Sequence, residues 1–272
     1  MHRSAGKRII ITGGTSGIGA ALVREFAQRG AHVGTLARRE PELQRLCQEL
    51  RTRFPRQIFC CQPADVRKED ELEAAMEALT LGLGGLDIVI ANSGIGERKS
   101  AFSSHQWELA RETLSVNVLG AIHTLEIAKN YFLKHQQAGQ LVGMSSVAAA
   151  RGFPRSAAYC TSKAALAMYL EAIRGELAGG GIDVISVHPG FIRTPMTAQV
   201  RSMPWLMDAE PAARRIAQAI EMRKKRYIFP APMRVVYWFL KHVPDRMYDY
   251  WCTDRGHGRQ KVDVKMPGEG MD

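Results

Sequence analysis

The stretch TGGTSGIG, Thr12–Gly19, decides the fold. KRIIIT, Lys7–Thr12, runs into it as a buried strand. Ser16–Gly30 leaves it as a helix, with Ile18, Leu22 and Phe26 at helical spacing. Glycines at a strand-to-helix junction let the backbone turn tightly and approach a pyrophosphate. The helix N-terminus then offers free amide donors and the positive end of a dipole. Glycine-rich runs also occur in plain turns, and it is the junction that favours the nucleotide reading. Gly13, Thr15, Ser16, Gly17, Ile18 and Gly19 form the predicted phosphate cradle.

Outward from this loop, apolar runs alternate with helical patterns. Strands are expected at His32–Ala37, Gln57–Cys61, Leu86–Ala91, Gln140–Ser145 and Asp183–His188. Helices are expected from about Pro41 to Phe54, at Glu69–Leu81, from about Ser104 to His135, and at Ala157–Ala178. Such alternation implies a parallel sheet covered on both faces. The expected fold is therefore α/β, a single Rossmann-type, doubly wound parallel sheet of seven strands. The domain spans 1–255, with 7–195 as cofactor and catalytic core, 196–255 as substrate lid and C-terminal elements, and 256–272 as a flexible tail. Pro204–Trp205 marks an irregular segment. Ala209–Met222 reads as a helix, Arg226–Phe229 as the seventh strand and Met233–His242 as a short apolar helix.

Composition narrows the function classes. The chain has 272 residues, 46% hydrophobic and 24% charged, ordinary for a soluble globular protein. No stretch approaches the roughly 20 apolar residues of a membrane-spanning helix. Ile9–Ile11 is far shorter than the about 7–15 residues of a signal-peptide core, so the expected localisation is cytoplasmic. A net charge of +10 suits anionic ligands, a membrane surface or nucleic acid, but the stacking aromatics and repeated basic motifs of a nucleic-acid module are not evident. The five cysteines, Cys47, Cys60, Cys61, Cys160 and Cys252, show no metal-ligand spacing and are expected to be buried free thiols; no metal site is expected.

Gly13-x-x-x-Gly17-x-Gly19 resembles the short-chain dehydrogenase/reductase family. The resemblance continues in matching order at Asp65–Val66, Asn92-Ser93-Gly94, Asn117, Ser146, Tyr159-x-x-x-Lys163 and Pro189–Gly190, over roughly residues 7–195. Ser93 stands where the family usually has alanine, a small change that preserves the backbone approach. The resemblance implies that Asp65 and Val66 lie beside adenine, that Asn92 and Gly94 approach the cofactor, and that Ile192 and Thr194, after Pro189 and Gly190, meet the nicotinamide carboxamide. A lone loop aspartate at 65 would otherwise be a cap for the helix at Glu69.

The end of the second strand, Leu36–Arg39, distinguishes the cofactors. A carboxylate there would accept hydrogen bonds from the ribose hydroxyls and repel a 2′-phosphate. This chain has Ala37, then Arg38 and Arg39. A guanidinium binds phosphate by paired, charge-assisted hydrogen bonds. NADP(H) is favoured, with Arg38 as the main contact, and NAD(H) is the alternative; both arginines would otherwise be solvated turn residues.

Tyr159 and Lys163 lie four apart on one helix face, among the small residues of AAYCTSKAA (157–165). An ammonium and an oxidised nicotinamide nearby would lower a phenol pKa from about 10 and make Tyr159 a proton donor or acceptor near neutral pH. A bare YxxxK occurs on many surface helices, so the surrounding matches carry the argument. The resemblance implies that Lys163 also binds the nicotinamide ribose, that the Ser146 hydroxyl bonds the substrate oxygen, and that Asn117 distorts the central helix and holds a water near the lysine. Ser145 and His188 are read as structural.

The expected reaction is hydride transfer between nicotinamide and a carbonyl or secondary alcohol, with carbonyl reduction of an apolar substrate as the favoured direction. Met203, Trp205, Leu206 and Met207, within Thr197–Met207, are a candidate apolar lid. Glu221–Pro244 combines basic residues with Trp, Tyr and Phe, which suits an amphipathic helix on an anionic membrane, a subunit interface, or a core strand and helix. The alternatives are a membrane-associated reductase of long-chain lipid ketones and a non-catalytic nucleotide-sensing protein. A homodimer or homotetramer is expected from the resemblance.

Overall fold

The computed structural model of the chain describes residues 2–96, 106–198 and 203–254. In its first strand, β1 (Arg8–Thr12), Ile9 and Ile11 enter one core cluster and Ile10 enters another. All three are fully buried. Successive side chains of a strand point to opposite faces, so an unbroken apolar run is what a strand between two helical layers requires.

Each following strand of the main sheet is reached through a helix. α1 (Gly17–Gln28) leads to β2 (His32–Ala37), α2 (Glu40–Arg53) to β3 (Phe59–Pro63), and α3 (Glu69–Leu83) to β4 (Ile88–Ala91). α4 (Gln106–Leu114) and α5 (Ala121–Lys134) precede β5 (Gly139–Met144), and α6 (Ala157–Glu176) precedes β6 (Ile182–Pro189). Then come two short strands, β7 (Ile192–Arg193) and β8 (Met207–Asp208), followed by α7 (Ala209–Glu221), β9 (Arg226–Phe229), α8 (Ala231–His242) and α9 (Asp245–Asp254). The main sheet has seven strands in the order β3-β2-β1-β4-β5-β6-β9, every neighbouring pair parallel. α1, α2 and α7 cover one face through Leu22, Phe26, Leu46, Leu50, Ile216 and Ile220; α3, α5 and α6 cover the other through Leu72, Leu79, Leu125, Phe132, Leu166 and Leu170. The chain winds outward from β1 to β3, then returns to set β4 on the other side of β1. That reversal opens a crevice beyond the carboxyl ends of β1 and β4.

Several boundaries depart from expectation for identifiable reasons. The third strand begins at Phe59, because the Gln57 amide donates to the carbonyls of Ala27 and Ala31 at the end of α1 and is held in the turn. The long helix expected over 104–135 is divided by a π-helical segment at Ser115–Gly120. The expectation of free thiols is corrected at two positions: α2 lies over β3 and brings Cys47 against Cys61, and the two are disulfide-bonded. Cys60, on the opposite face of β3, is free, as are Cys160 and Cys252.

Glu221–Pro244 resolves into two parts. Arg226–Phe229 is the seventh strand of the sheet, paired with β6. α8 buries Met233 and Tyr237 and exposes Val235, Trp238 and Phe239. α9, which no strong periodicity announces, is an added element. No helix among the described residues is long and apolar enough to cross a membrane. The tail expected at 256–272 lies outside the described residues.

Candidate active site

The crevice opens into a cleft of about 550 Å³ at the carboxyl ends of the central strands. It is lined by Gly13, Thr15, Ser16, Gly17, Ile18 and Gly19 from the first loop, Arg38 and Arg39 after β2, and Asp65 and Val66 after β3. Asn92 and Gly94 after β4, Ser146 after β5, Tyr159 and Lys163 on α6, and Pro189, Gly190, Ile192 and Thr194 after β6 complete the predicted set. Residues from across some 180 positions thus meet in one space. Of the predicted residues, Asn117 alone lies behind the wall, fully buried.

The glycine loop is a built cradle. A Cβ on Gly19 would fall 2.1 Å from the Gly13 carbonyl oxygen and 2.5 Å from Asn92 Nδ2. Gly13 has a φ of +75°, and a Cβ there would meet Ser93 Cα at 3.0 Å. The loop is stapled to the segment after β4: Asn92 Nδ2 donates to the Thr12 carbonyl at 2.9 Å, and Thr12 Oγ1 accepts from the backbone amides of Asn92 and Ser93 at 3.0 and 2.9 Å. No side chain caps α1 and no acid stands in its first turn, so the amides of Gly17, Ile18 and Gly19 retain their donors for an anion. These features fit the diphosphate of a dinucleotide.

At the far end of the cleft Arg38 is exposed, while Arg39 Nη2 donates to Thr15 Oγ1 at 2.9 Å and so ties α2's entry to the cradle. Asp65 is held by Arg67, whose Nε lies 3.0 Å from both carboxylate oxygens; this partner keeps the carboxyl below its usual range. Asp65 is not the cap of α3, whose N-terminal flanking residue is Lys68.

Asn117 occupies the middle of the π-helical turn. An extra residue per turn swings its side chain toward the segment after β4. Its Oδ1 accepts from the Ile95 amide at 2.8 Å, and its Nδ2 donates to the Ile95 carbonyl at 2.8 Å and to Ser162 Oγ at 3.0 Å. Ser162 Oγ in turn donates to the Tyr159 carbonyl at 2.7 Å. The side chain therefore ties the central helix, the β4 loop and α6 together. Gly94 leaves room beside it: a Cβ there would lie 3.3 Å from Asn117 Oδ1 and 3.4 Å from Lys163 Nζ.

Lys163 is buried, and Nζ donates to the Met144 carbonyl at 2.9 Å. Loss of hydration lowers its pKa to about 8. Ser145 Oγ donates to the Lys163 carbonyl at 2.8 Å and so links the end of β5 to α6. Ser146 Oγ accepts from the Ala148 amide at 3.1 Å at the head of a short 3-10 turn, Val147–Ala149.

The sequence-based expectation for Tyr159 needs correction. The expectation joined Lys163 to an oxidised nicotinamide; Lys163 Nζ, 5.7 Å from the ring centroid, is engaged with the Met144 carbonyl and is not the largest influence on the phenol. Desolvation is the largest influence and raises that pKa above its ordinary value, and the neighbouring Ser146 hydroxyl pulls it partly back. The arrangement is a protonated phenol coupled to a hydroxyl, which can donate a proton to an oxygen placed between them.

Sequence reasoning passed over Ile95, Gly96 and Met196, which also line the cleft. Met196 packs on Gly96, where a Cβ would come 2.7 Å from its sulfur and 3.7 Å from Tyr159 Cδ2. The signal was present: Met196 closes the motif HPGFIRTPM (188–196), just beyond Thr194. Of the expected lid, Thr197 lines the cleft. Met203, Trp205, Leu206 and Met207 do not, and residues 199–202 lie outside the described residues. Met207 is pinned by β7–β8 pairing opposite Ile192 and packs on the core.

The short chain dehydrogenase family model matches residues 7–205. An uncharacterised oxidoreductase of Myxococcus xanthus is 34% identical over 254 residues, 92% of this chain and 97% of the relative. The 11-beta-hydroxysteroid dehydrogenase A of Sesamum indicum is 31% identical over 262 residues, 89% of this chain and 74% of the relative. Among solved structures, a 3-ketoacyl-(acyl-carrier-protein) reductase of Brucella melitensis complexed with NADH matches with a TM-score of 0.74 and 25% identity, covering 82% of this chain and 96% of that one.

Proposed function

The chain belongs to the short-chain dehydrogenase family, oxidoreductases of alcohol and carbonyl groups that use a nicotinamide cofactor, and from that premise we propose that it is an NADP(H)-dependent reductase of apolar carbonyl compounds. The observation that carries this reading is the convergence of Ser146, Lys163 and the Tyr159 phenol at one end of a cleft whose other end is a glycine cradle. A group that stays protonated at neutral pH is an acid, and an acid is what carbonyl reduction requires.

When bound, the nicotinamide supplies the hydride. The first-loop amides and the α1 dipole would hold its diphosphate. Arg38 would hold a 2′-phosphate, and Leu36–Arg39 contains no carboxylate to repel it. Lys163, whose Nζ here donates to the Met144 carbonyl, would hold the nicotinamide ribose and place positive charge beside the reacting oxygen. Ser146 hydrogen-bonds that oxygen, and Tyr159 transfers its proton to it as negative charge develops. Asn117 keeps α6 in place. An apolar substrate suits the neighbourhood of Ile95 and Met196 at the mouth, and a steroid dehydrogenase stands among the relatives.

The test is NADPH oxidation with a panel of lipophilic ketones and aldehydes. Absence of turnover by the wild-type protein on every member would refute the reading. Arg38→Ala is expected to weaken NADPH by about 10- to 100-fold, the size of a lost charged hydrogen bond, and to leave NADH nearly unchanged. Equal effects on both cofactors would remove Arg38 from the 2′-phosphate.

A second reading, contact with an anionic membrane, is favoured by the exposed Val235, Trp238 and Phe239 of α8 and Met247 and Tyr250 of α9. Arg234 and Lys241 are exposed on α8, while α9 exposes Arg246 together with Asp245 and Asp249, so the positive charge lies on α8. Apolar and cationic groups together suit an interfacial helix pair. Flotation with anionic vesicles should succeed at low salt and weaken at high salt; no flotation at low salt rejects it.

A further inference from the structure

We infer that His188 is a positioning residue for the candidate catalytic serine, acting through the Ser146 backbone; this rests on the role proposed for Ser146. β6 ends in His188–Pro189, and the imidazole is fully buried beneath the site. Its Nδ1 lies 3.1 Å from the Ser146 carbonyl oxygen and its Nε2 lies 2.7 Å from Ser186 Oγ. A carbonyl oxygen only accepts, so Nδ1 carries the proton and Nε2 accepts from the serine hydroxyl. The two partners thereby select one tautomer.

The location gives this contact its consequence. The β5–β6 ladder ends at Met144 opposite Val187, with one more bond from the Ser145 amide to the Val187 carbonyl. Ser146 lies just past the last rung, where the chain leaves the sheet. There its carbonyl accepts from the Ala149 amide of the 3-10 turn at 3.1 Å and from His188. The imidazole extends the sheet's grip by one residue, to the one that bears the hydroxyl. The ring is itself fixed edge-on by Tyr237 of α8, with centroids 5.4 Å apart at 72°.

The ring remains a neutral donor. Burial is the largest influence, and the charges of Arg226, Lys163 and Lys241 add to it, so the imidazole pKa falls to about 4. Tyr237 lies edge-on against the ring, and burial raises its phenol pKa, so it carries no charge near neutrality.

The experiment compares His188→Ala and His188→Asn with the wild type. Loss of the donor frees Ser146 to shift, and a small displacement of a catalytic group costs on the order of 10²-fold. His188→Ala should therefore lower kcat by about 10- to 100-fold, with the cofactor dissociation constant within about twofold of wild type. An asparagine amide can donate to the same carbonyl, so His188→Asn should recover most of the loss. An unchanged kcat in His188→Ala, a parallel loss of cofactor affinity, or no advantage of asparagine over alanine would overturn the inference. Ring ¹⁵N shifts of the wild-type protein read the contact without turnover. They should show the Nδ1-protonated tautomer from about pH 5.5 to 8, and titration within that range or the opposite tautomer overturns the assignment. If the wild type reduces no carbonyl, the proposed function fails, while the nitrogen shifts still decide the hydrogen bond.

Discussion

Replacing Tyr159 with phenylalanine is expected to lower kcat by about 10²- to 10⁴-fold, the contribution of a positioned general acid, with cofactor affinity within about twofold of wild type. The substitution deletes one oxygen. The ring that packs beside Met196 and Gly96 remains, as does the backbone link from Ser162 to the residue 159 carbonyl. What disappears is the proton source and the partner of Ser146. Fluorescence titration of the reduced cofactor would report binding, and single-turnover kinetics would report the chemical step. The pH profile carries further information. Because burial holds the phenol above 10, the proton donor is not exhausted through neutral pH. The lysine, at about 8, is the group that changes charge first as pH rises, so carbonyl reduction should decline above about pH 8 before the phenol ionises. A Tyr159→Phe protein that turns over at the wild-type rate would remove the acid from this residue and require another donor in the cleft.

The residues that were legible in the chain are those whose chemistry depends on local pattern. KRIIIT announces a strand covered on both faces because each isoleucine must find a core on its own side, and Ile9, Ile10 and Ile11 do so. The glycine cradle is legible because a missing Cβ at Gly19 answers a close backbone approach, and that approach is to its own loop. Effects that depend on residues distant in sequence were not legible. Cys47 and Cys61 are 14 residues apart in an unremarkable helix and strand, and only the packing of α2 on β3 brings them together. Asn117 is picked out by the family resemblance alone; by local pattern it is one polar residue in a helical run, while its three hydrogen bonds come from the β4 loop and α6. The tyrosine–lysine spacing locates both groups on one helix face but says nothing of solvent. Spacing suggests a coulombic lowering of the phenol pKa; burial produces the opposite shift. Desolvation is a property of the assembled cleft, and no local pattern of residues measures it.

Lys163→Met should remove activity and make the protein more stable at neutral pH. In the unfolded chain the lysine titrates near its ordinary value of about 10.5; in the folded protein burial lowers this to about 8. Below pH 8 both states carry the proton, and the folded state holds a charge with little water around it. The unfolded state binds more protons between the two values, so wild-type stability rises as pH climbs from about 8 towards 10.5. The penalty is fully present below about 8 and fades across that window. Its size is on the order of 3 kcal/mol at 1.36 kcal/mol for each unit of difference, reduced in the mutant by loss of the hydrogen bond to the Met144 carbonyl. A methionine fills a similar volume without charge, so denaturation midpoints at pH 7 should favour Lys163→Met, and the advantage should shrink by about pH 10. Turnover should fall by at least about 10²-fold, as for loss of a group that stabilises developing charge. A mutant that is less stable than wild type at pH 7, or a difference that does not vary with pH, would mean that the buried ammonium is well solvated by its neighbours. Retention of a destabilising cation at the floor of the cleft is the exchange of stability for activity expected of a functional site, and the pH dependence of the difference is what separates that exchange from a simple packing effect.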